Sequence, residues 1–390
     1  MIDLITISEV AHTGEVHFQV NSCFVEMFSL SFPNTQIKFN GEKKHIKAVQ
    51  ESLLNSNLSH VEFLSFEGFY DENEFNWAGR IFGECRQIIK ILKRGKLDGS
   101  KLYVWTCLFP TGHLFLNFIQ LFQNENNHII ILHGELEYLK VKNKRLSEII
   151  FGFILRVAIN LSTKRTKYIV LGENIKKNLT PKIGQRILKR TYSFLHPYNF
   201  YTAENSIKTK DGNIITIGAI GTQMLSKNSN YIYALASWFK KDILKNKINF
   251  VTIGKVLPEL HQYDSNLVKK LYPNSFVSQR EFEREILKLD FIVFFYDNKA
   301  YELCASGAIF EAIRLGVPII SIKNDYFNWL FDSYGSMGFL CETMDELQII
   351  ITKLISGEHK EEIANFNYNM ARFKVNNNLK NLAVNLKNII

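Results

Sequence analysis

The sequence predicts an α/β protein of two doubly wound domains facing a cleft, and two observations carry that expectation. Short apolar, β-rich runs alternate with amphipathic stretches almost from end to end, the pattern of βαβ units that lay parallel strands beneath helices on both faces. The alternation breaks once, over the polar stretch Pro197–Asn213, which has no apolar periodicity and reads as a linker. A chain of 390 residues also exceeds one ordinary core and suits two domains of roughly 150–200 residues each.

Taken in order, the N-terminus Met-Ile-Asp-Leu-Ile-Thr-Ile-Ser has no basic leader and carries Asp3, so it reads as a first buried strand and not a signal peptide. Strands rich in β-branched and aromatic residues follow the same pattern at Ile2–Ser8, Gln36–Asn40, His60–Phe66, Lys101–Leu108, His128–His133, Tyr168–Leu171 and Thr191–His196. Helices are expected between them at Val16–Leu30, Ile46–Leu54, Trp77–Leu92, Leu114–Phe122 and Ser147–Leu161. These form a first domain over 1–200, with the linker over 201–213. A second domain over 214–362 then has strands at Ile214–Ala219, Asn249–Gly254, Ser275–Val277, Phe291–Tyr296 and Pro318–Ile322. Its helices are Tyr231–Leu244, Glu281–Leu287, Ile309–Leu315 and Leu347–Ile355. The polar stretch 363–390, with spaced apolar residues, reads as terminal helices able to pack back on the first domain.

Composition narrows the chemistry. Five cysteines at irregular gaps give no CxxC pair and no disulfide framework, so reduced thiols in a cytoplasmic protein are expected and a structural zinc is not. A net charge of +9 favours anionic partners. Nucleic acid is not expected among them, because the basic residues are spread through the chain without an interleaved aromatic motif.

Doubly wound sheets bind ligands beyond the carboxyl ends of their strands, so function belongs in the loops that follow strands. The apolar strand Phe291–Tyr296 leads through a polar loop to Ser306-Gly307, then to a helix that stops at Gly316. Ser306 is suited to cap that helix, and Gly307 lets a diphosphate approach the first-turn amides at the positive end of the helix dipole. Glu311, one turn on, could reach a ribose hydroxyl. The alternative is an ordinary capped helix of a βαβ unit.

The segment Ser306-Gly-Ala-Ile-Phe-Glu311-Ala-Ile-Arg-Leu-Gly316-Val-Pro318 resembles the donor site of GT-B glycosyltransferases, in which an acidic residue and Ala open a helix closed by Gly-x-Pro. Upstream pieces follow in the order of those enzymes. Ile214-Ile-Thr-Ile-Gly218-Ala-Ile-Gly221 resembles the strand opening the nucleotide-binding domain, with Lys227 where a phosphate-binding lysine follows, and Phe250-Val-Thr-Ile-Gly254-Lys255 resembles the next strand. His196-Pro197-Tyr198 resembles their turn before the linker. The resemblance spans residues 165–355. It implies a nucleotide-sugar donor, bound by Ser306, Gly307, Glu311, Glu302, Lys255, Lys227 and Gly218, without a required metal or cofactor. It also implies a glycan or lipid-linked acceptor, as in bacterial surface-polysaccharide and lipopolysaccharide assembly. Two departures leave the stereochemistry open: Leu303 stands eight residues before Glu311, where a retaining subgroup has a second glutamate and this chain has Glu302 at nine, and Ala219 replaces an arginine after Gly218. An epimerase or polymer phosphotransferase on the same fold, a sugar-binding relative without activity and, on charge alone, a non-enzymatic nucleic-acid-binding protein stay as alternatives.

For proton transfer from an acceptor, histidines in strand-following loops are the candidates, since a neutral imidazole accepts a proton near pH 7. His12 follows the first strand, His113 precedes a helix, His133 ends a strand and leads into Glu135, and His17 sits on the following helix. Glu9 is a reserve. A loop histidine can equally be a hydrogen-bonded support. Finally, Lys140–Lys167 holds eight basic residues and one acid around the apolar Ile149–Leu161, too short to span a bilayer. It reads either as a buried crossover helix or as a helix lying on the anionic inner face of a membrane.

Overall fold

The computed structural model describes residues 2–56, 58–68, 77–122, 126–140, 145–200, 214–275, 277–298 and 301–390. Two compact units emerge. The first contains Met1–Asn199, Leu303–Ala305 and Asn378–Ile390, and the second contains Phe200–Glu302 and Ser306–Asn377. The expected linker 201–213 lies outside the described residues.

The first unit is built on seven strands: β1 Leu4–Glu9, β2 Gln36–Glu42, β3 Val61–Phe66, β4 Leu102–Cys107, β5 Asn127–Leu132, β6 Thr166–Val170 and β7 Thr191–Ser193. They pair in parallel in the order β3-β2-β1-β4-β5-β6-β7. The second holds β8 Ile215–Ile220, β9 Ile248–Ile253, β10 Val268–Leu271, β11 Phe291–Phe294, β12 Ile319–Ile322 and β13 Gly338–Cys341, parallel in the order β10-β9-β8-β11-β12-β13. Every residue of β1, β4 and β11 is buried, which is why these strands read as largely apolar or β-branched runs, with Ser8 and Glu9 at the end of β1 the exception. In the second unit Ile217, Phe250, Val293 and Ile320 join Leu235 and Leu347 of covering helices in one apolar core. In both sheets the strand order reverses beside the first strand, between β1 and β4 and between β8 and β11, and such a reversal opens a crevice at the carboxyl ends.

Some expectations shift. Of the strand expected at Ser275–Val277, residue 276 lies outside the described residues, and the edge strand of this sheet is Val268–Leu271. Its Lys269 and Lys270 hid it from an apolar count. The helix expected from Leu114 begins at Pro110, whose missing N–H costs nothing in the first turn, so His113 lies inside the helix Pro110–Phe122 and not ahead of it. The segment Tyr231–Leu244 breaks into the helices Tyr231–Trp238 and Lys240–Leu244, and a helix not anticipated forms over Asp325–Tyr334 with Asn324 as its cap. The C-terminal stretch forms Lys360–Asn376 in the second unit and Leu379–Ile389 in the first. The latter packs on the helix Phe18–Ser31, where Ser31 Oγ donates to the Ala383 carbonyl at 2.7 Å.

Of the basic segment, 141–144 lies outside the described residues. Its helix, Leu146–Leu161, buries Phe151, Leu155, Ala158 and Ile159 beside the helix Pro110–Phe122, as a crossover helix should, yet it exposes Leu146, Ile149, Ile150 and Phe153 on another face. Among the described residues no helix is long and apolar enough to cross a membrane. None of the five cysteines, all of them among the described residues, forms a disulfide.

Candidate functional site

In the second unit the loops at the β8/β11 reversal are fastened by backbone. Gly221 (φ 78°) and Gly254 (φ 124°) end turns after β8 and β9, and a Cβ on Gly254 would come within 2.6 Å of the Gly221 carbonyl oxygen. The Gly221 amide donates to Ile253 at 2.9 Å, and the Gln223 amide donates to Lys255 at 2.8 Å. Two asparagines hold the end of β11: Asn228 Nδ2 donates to the Phe295 carbonyl at 3.0 Å and Asn324 Nδ2 to that of Tyr296 at 3.3 Å. Beyond lies the helix Gly307–Leu315, ended by Gly316 in the left-handed conformation, as its sequence suggests. Ser306 occupies the cap position, but its side chain makes no capping hydrogen bond, contrary to expectation. Gly307 is exposed, and a Cβ there would meet no atom of the described residues within 4 Å. Ser306 therefore does not cap the first-turn amides, and the Cβ position of Gly307 faces open space among the described residues.

The remaining donor-side candidates differ in setting. Gly218 lies within β8 against Leu289, where a Cβ would come within 2.5 Å of Cδ1, so its local effect is close packing. Lys227 Nζ donates to the Thr222 carbonyl at 3.2 Å. Lys255 and Glu302 are half-buried. Glu311 is buried; it accepts Gln279 Nε2 at 3.2 Å and Arg314 Nε at 3.3 Å, with a second bond from the same guanidinium, and Arg314 also pairs with Glu283 at 2.7 Å.

In the first unit the β1/β4 reversal collects a polar cluster. The register of β1 on β4 shifts between Ser8 and Glu9, a local irregularity that sets Glu9 opposite Cys107. Glu9 is fully buried and accepts the amides of Ala11 (2.9 Å) and His12 (3.1 Å) and the side chain of Asn21 (3.2 Å), which fixes the loop carrying His12. Burial works against its charge, yet the hydrogen bond and charge of His12, together with His45 and His17, hold its carboxyl below the ordinary carboxylate range. Glu42 extends the scaffold by accepting the Gly14 amide at 3.0 Å while capping the helix Lys43–Ser52. His45 bridges it, with Nδ1 2.9 Å from the Gly14 carbonyl and Nε2 2.9 Å from Asn21.

On this frame the ring of His17 lies between those of His12 and His133, tilted 49° to the first at a centroid distance of 4.2 Å and stacked on the second at 5.0 Å. His12 Nδ1 lies 3.5 Å from Glu9 Oε1. His17 precedes the helix Phe18–Ser31 in a left-handed conformation, and burial, then His12 and His133, push its pKa well below the usual value. Burial takes His133 to about 3. Glu135 is raised to about 7 by burial, partly offset by the His133 amide at 2.9 Å, and accepts the Cys107 thiol at 3.7 Å. His113 sits apart: fully buried, its Nε2 3.0 Å from the Tyr168 hydroxyl. Sequence reasoning thus found His12, His17, His133 and Glu9 but not Asn21, His45, Glu42 or Cys107, whose contributions need partners from other strands and helices.

No protein-family model matches the chain, and no curated protein matches it in sequence. Solved structures do match, over nearly their whole lengths. A glycosyltransferase from Rickettsia africae aligns over 99% of this chain and 97% of its own, with TM-score 0.62 and 12% identity. Sucrose-phosphate synthase from Thermosynechococcus elongatus aligns over 99% and 98%, with TM-score 0.66 and 10% identity. A UDP-GlcNAc 2-epimerase from Neisseria meningitidis, solved with UDP-GlcNAc bound, aligns over 98% of both chains, with TM-score 0.55 and 12% identity. The chain has the GT-B fold, as its sequence resemblance implied.

Proposed function

We propose that this protein is a glycosyltransferase that moves a sugar from a nucleoside-diphosphate donor to a glycan or glycolipid acceptor. The observation that carries the reading is the start of the helix Gly307–Leu315: amides that Ser306 does not cap, behind an exposed glycine with free space in front, at the reversal point of the second sheet. Such a helix start binds a diphosphate through N–H groups and the dipole together. In the transfer the bond from the anomeric carbon to the diphosphate oxygen breaks as a bond to the acceptor oxygen forms. Charge growing on the leaving diphosphate is met by amides already in place, which needs no metal at the donor end. Lys255 and Lys227, in the loops after β9 and β8, are the proposed cationic partners. For the acceptor we propose the matching end of the first sheet, where His12, His133 and Glu135 converge.

The exposed apolar row Leu146, Ile149, Ile150 and Phe153, at helical spacing beside Arg145, supports an acceptor carried on an anionic membrane. A second reading, epimerisation of a nucleotide sugar, is favoured by the likeness to the UDP-GlcNAc 2-epimerase. Thermal-shift screening against UDP-, GDP-, CMP- and dTDP-sugars, followed by product analysis with the stabilising donor, tests both. A glycosidic product with release of nucleoside diphosphate is expected. A C2 epimer would replace the proposal with the second reading, and no stabilisation by any donor would remove the donor site.

A further inference from the structure

At the β1/β4 reversal of the first unit, three residues far apart in sequence bring metal-ligating atoms together. His12 comes from the loop after β1, His17 from the residue before the helix Phe18–Ser31, and Cys107 from the end of β4; one donor atom of each lies within 4.8 Å of the other two. Donor atoms around tetrahedral zinc are roughly 3.3–3.7 Å apart, given Zn–N of about 2.0 Å and Zn–S of about 2.3 Å. Side-chain shifts of about 1 Å would therefore close the set on an ion.

Three features say that these groups await a partner. His17 Nδ1 is a buried nitrogen without a hydrogen bond, and so is His133 Nε2 on the ring stacked against it; a polar atom left so in a folded interior is uncommon. His12 and His17 are half-buried while Cys107 is buried, so an ion can enter from the histidine side and settle on sulfur. A carboxylate already stands behind one ligand, Glu9 Oε1 3.5 Å from His12 Nδ1, the kind of outer contact that orients a metal-bound histidine and offsets the ion's charge.

We propose that His12, His17 and Cys107 form a binding site for a late first-row divalent ion of the zinc class, four-coordinate, with one position left for water or a ligand. Imidazole and thiolate select such ions over magnesium or calcium, which take oxygen ligands. Cys107 binds as the thiolate, its proton passing to solvent. This site goes beyond the donor reading and stands in a different unit, so each can fail without the other, while His12, shared with the proposed acceptor end, would serve here as a ligand and not as a base.

The test titrates the full chain, stripped with a chelator, with Co²⁺ as the spectroscopic probe. We expect one equivalent to bind with a thiolate-to-cobalt charge-transfer band and intense visible bands of four-coordination, both lost when Zn²⁺ displaces it. Cys107→Ser removes the charge-transfer band, while Cys341→Ser, a buried thiol of the second unit, keeps it. His17→Gln weakens Co²⁺ by about tenfold or more, the cost seen even for outer contacts of metal ligands. Wild-type protein without a charge-transfer band overturns the proposal, as does a band that survives Cys107→Ser. Should that variant fail to fold, unchanged affinity in His17→Gln overturns it instead.

Discussion

At Gly307 a missing side chain matters for what lies beyond it. Because a Cβ there meets nothing, Gly307→Val should change stability by roughly 0.5 kcal/mol or less, as for surface substitutions generally. It should nevertheless abolish the rise in melting temperature given by a nucleotide sugar, since the added methyls fill the space in front of the amides. A rise of wild-type size in that variant would take the diphosphate away from this helix. Glu311 presents the opposite case, a carboxylate with both oxygens bound in the interior. Glu311→Ala takes one carboxylate from the buried guanidinium of Arg314, which keeps its pairing with Glu283, and we expect a loss of roughly 3 kcal/mol, the low end for a broken buried pair because one partner stays. A urea midpoint measures it. Glu311→Ala with native stability and no activity would instead put this carboxylate on the ligand.

At the scale of elements, the helix Leu146–Leu161 has two apolar faces and only one of them is covered within its unit. Leu146, Ile149, Ile150 and Phe153 fall at i, i+3, i+4 and i+7, which in a helix is a single stripe, and Phe153 is 69% exposed. The double variant Ile150→Asp/Phe153→Asp should therefore keep its melting temperature while losing co-sedimentation with vesicles rich in anionic lipid. Undiminished sedimentation would assign any membrane affinity elsewhere. The sequence displayed the apolar run Ile149–Leu161 plainly, but not which residues of it the helix Pro110–Phe122 would cover. Val268–Leu271, with its two lysines, is an element whose marginal burial left it out of the strands read from sequence.

At the scale of the molecule, buried histidines make stability depend on pH. His113 and His128 are both pushed down to about 3 by burial, so in the folded chain they stay neutral through the mildly acidic range. The unfolded chain takes up those protons near pH 6.5 and binds more of them than the folded chain does, so stability is whole above pH 6.5 and declines as pH falls toward 3. Each group should cost about 2 kcal/mol at pH 5 relative to neutral pH. Denaturant midpoints at pH 7 and pH 5 report the loss, and His113→Gln should flatten part of it. An identical slope in that variant would show that His113 is not the group titrating.

The sequence by itself determined the fold. Parallel strands covered on both faces must be continuously apolar, and helices packed on one side must be amphipathic, so the order of βαβ units is written in local periodicity and survives in Phe291–Tyr296 or Tyr168–Leu171 without knowledge of neighbours. It also placed the helix stop at Gly316, because left-handed turns are local chemistry, while the start at Gly307 came two residues before the expected Ile309. Only the tertiary structure decided what the polar residues do. Ser306 has the residue type of a cap yet makes no capping bond, and Glu311 is held by Arg314 and Gln279. Cys107 looked like an isolated buried thiol until the irregularity at Ser8/Glu9 brought it beside residues 12 and 17. The reason is range: a helix or strand is fixed by neighbours a few residues away, whereas a site is fixed by which strands lie side by side, and that information is spread over the whole chain.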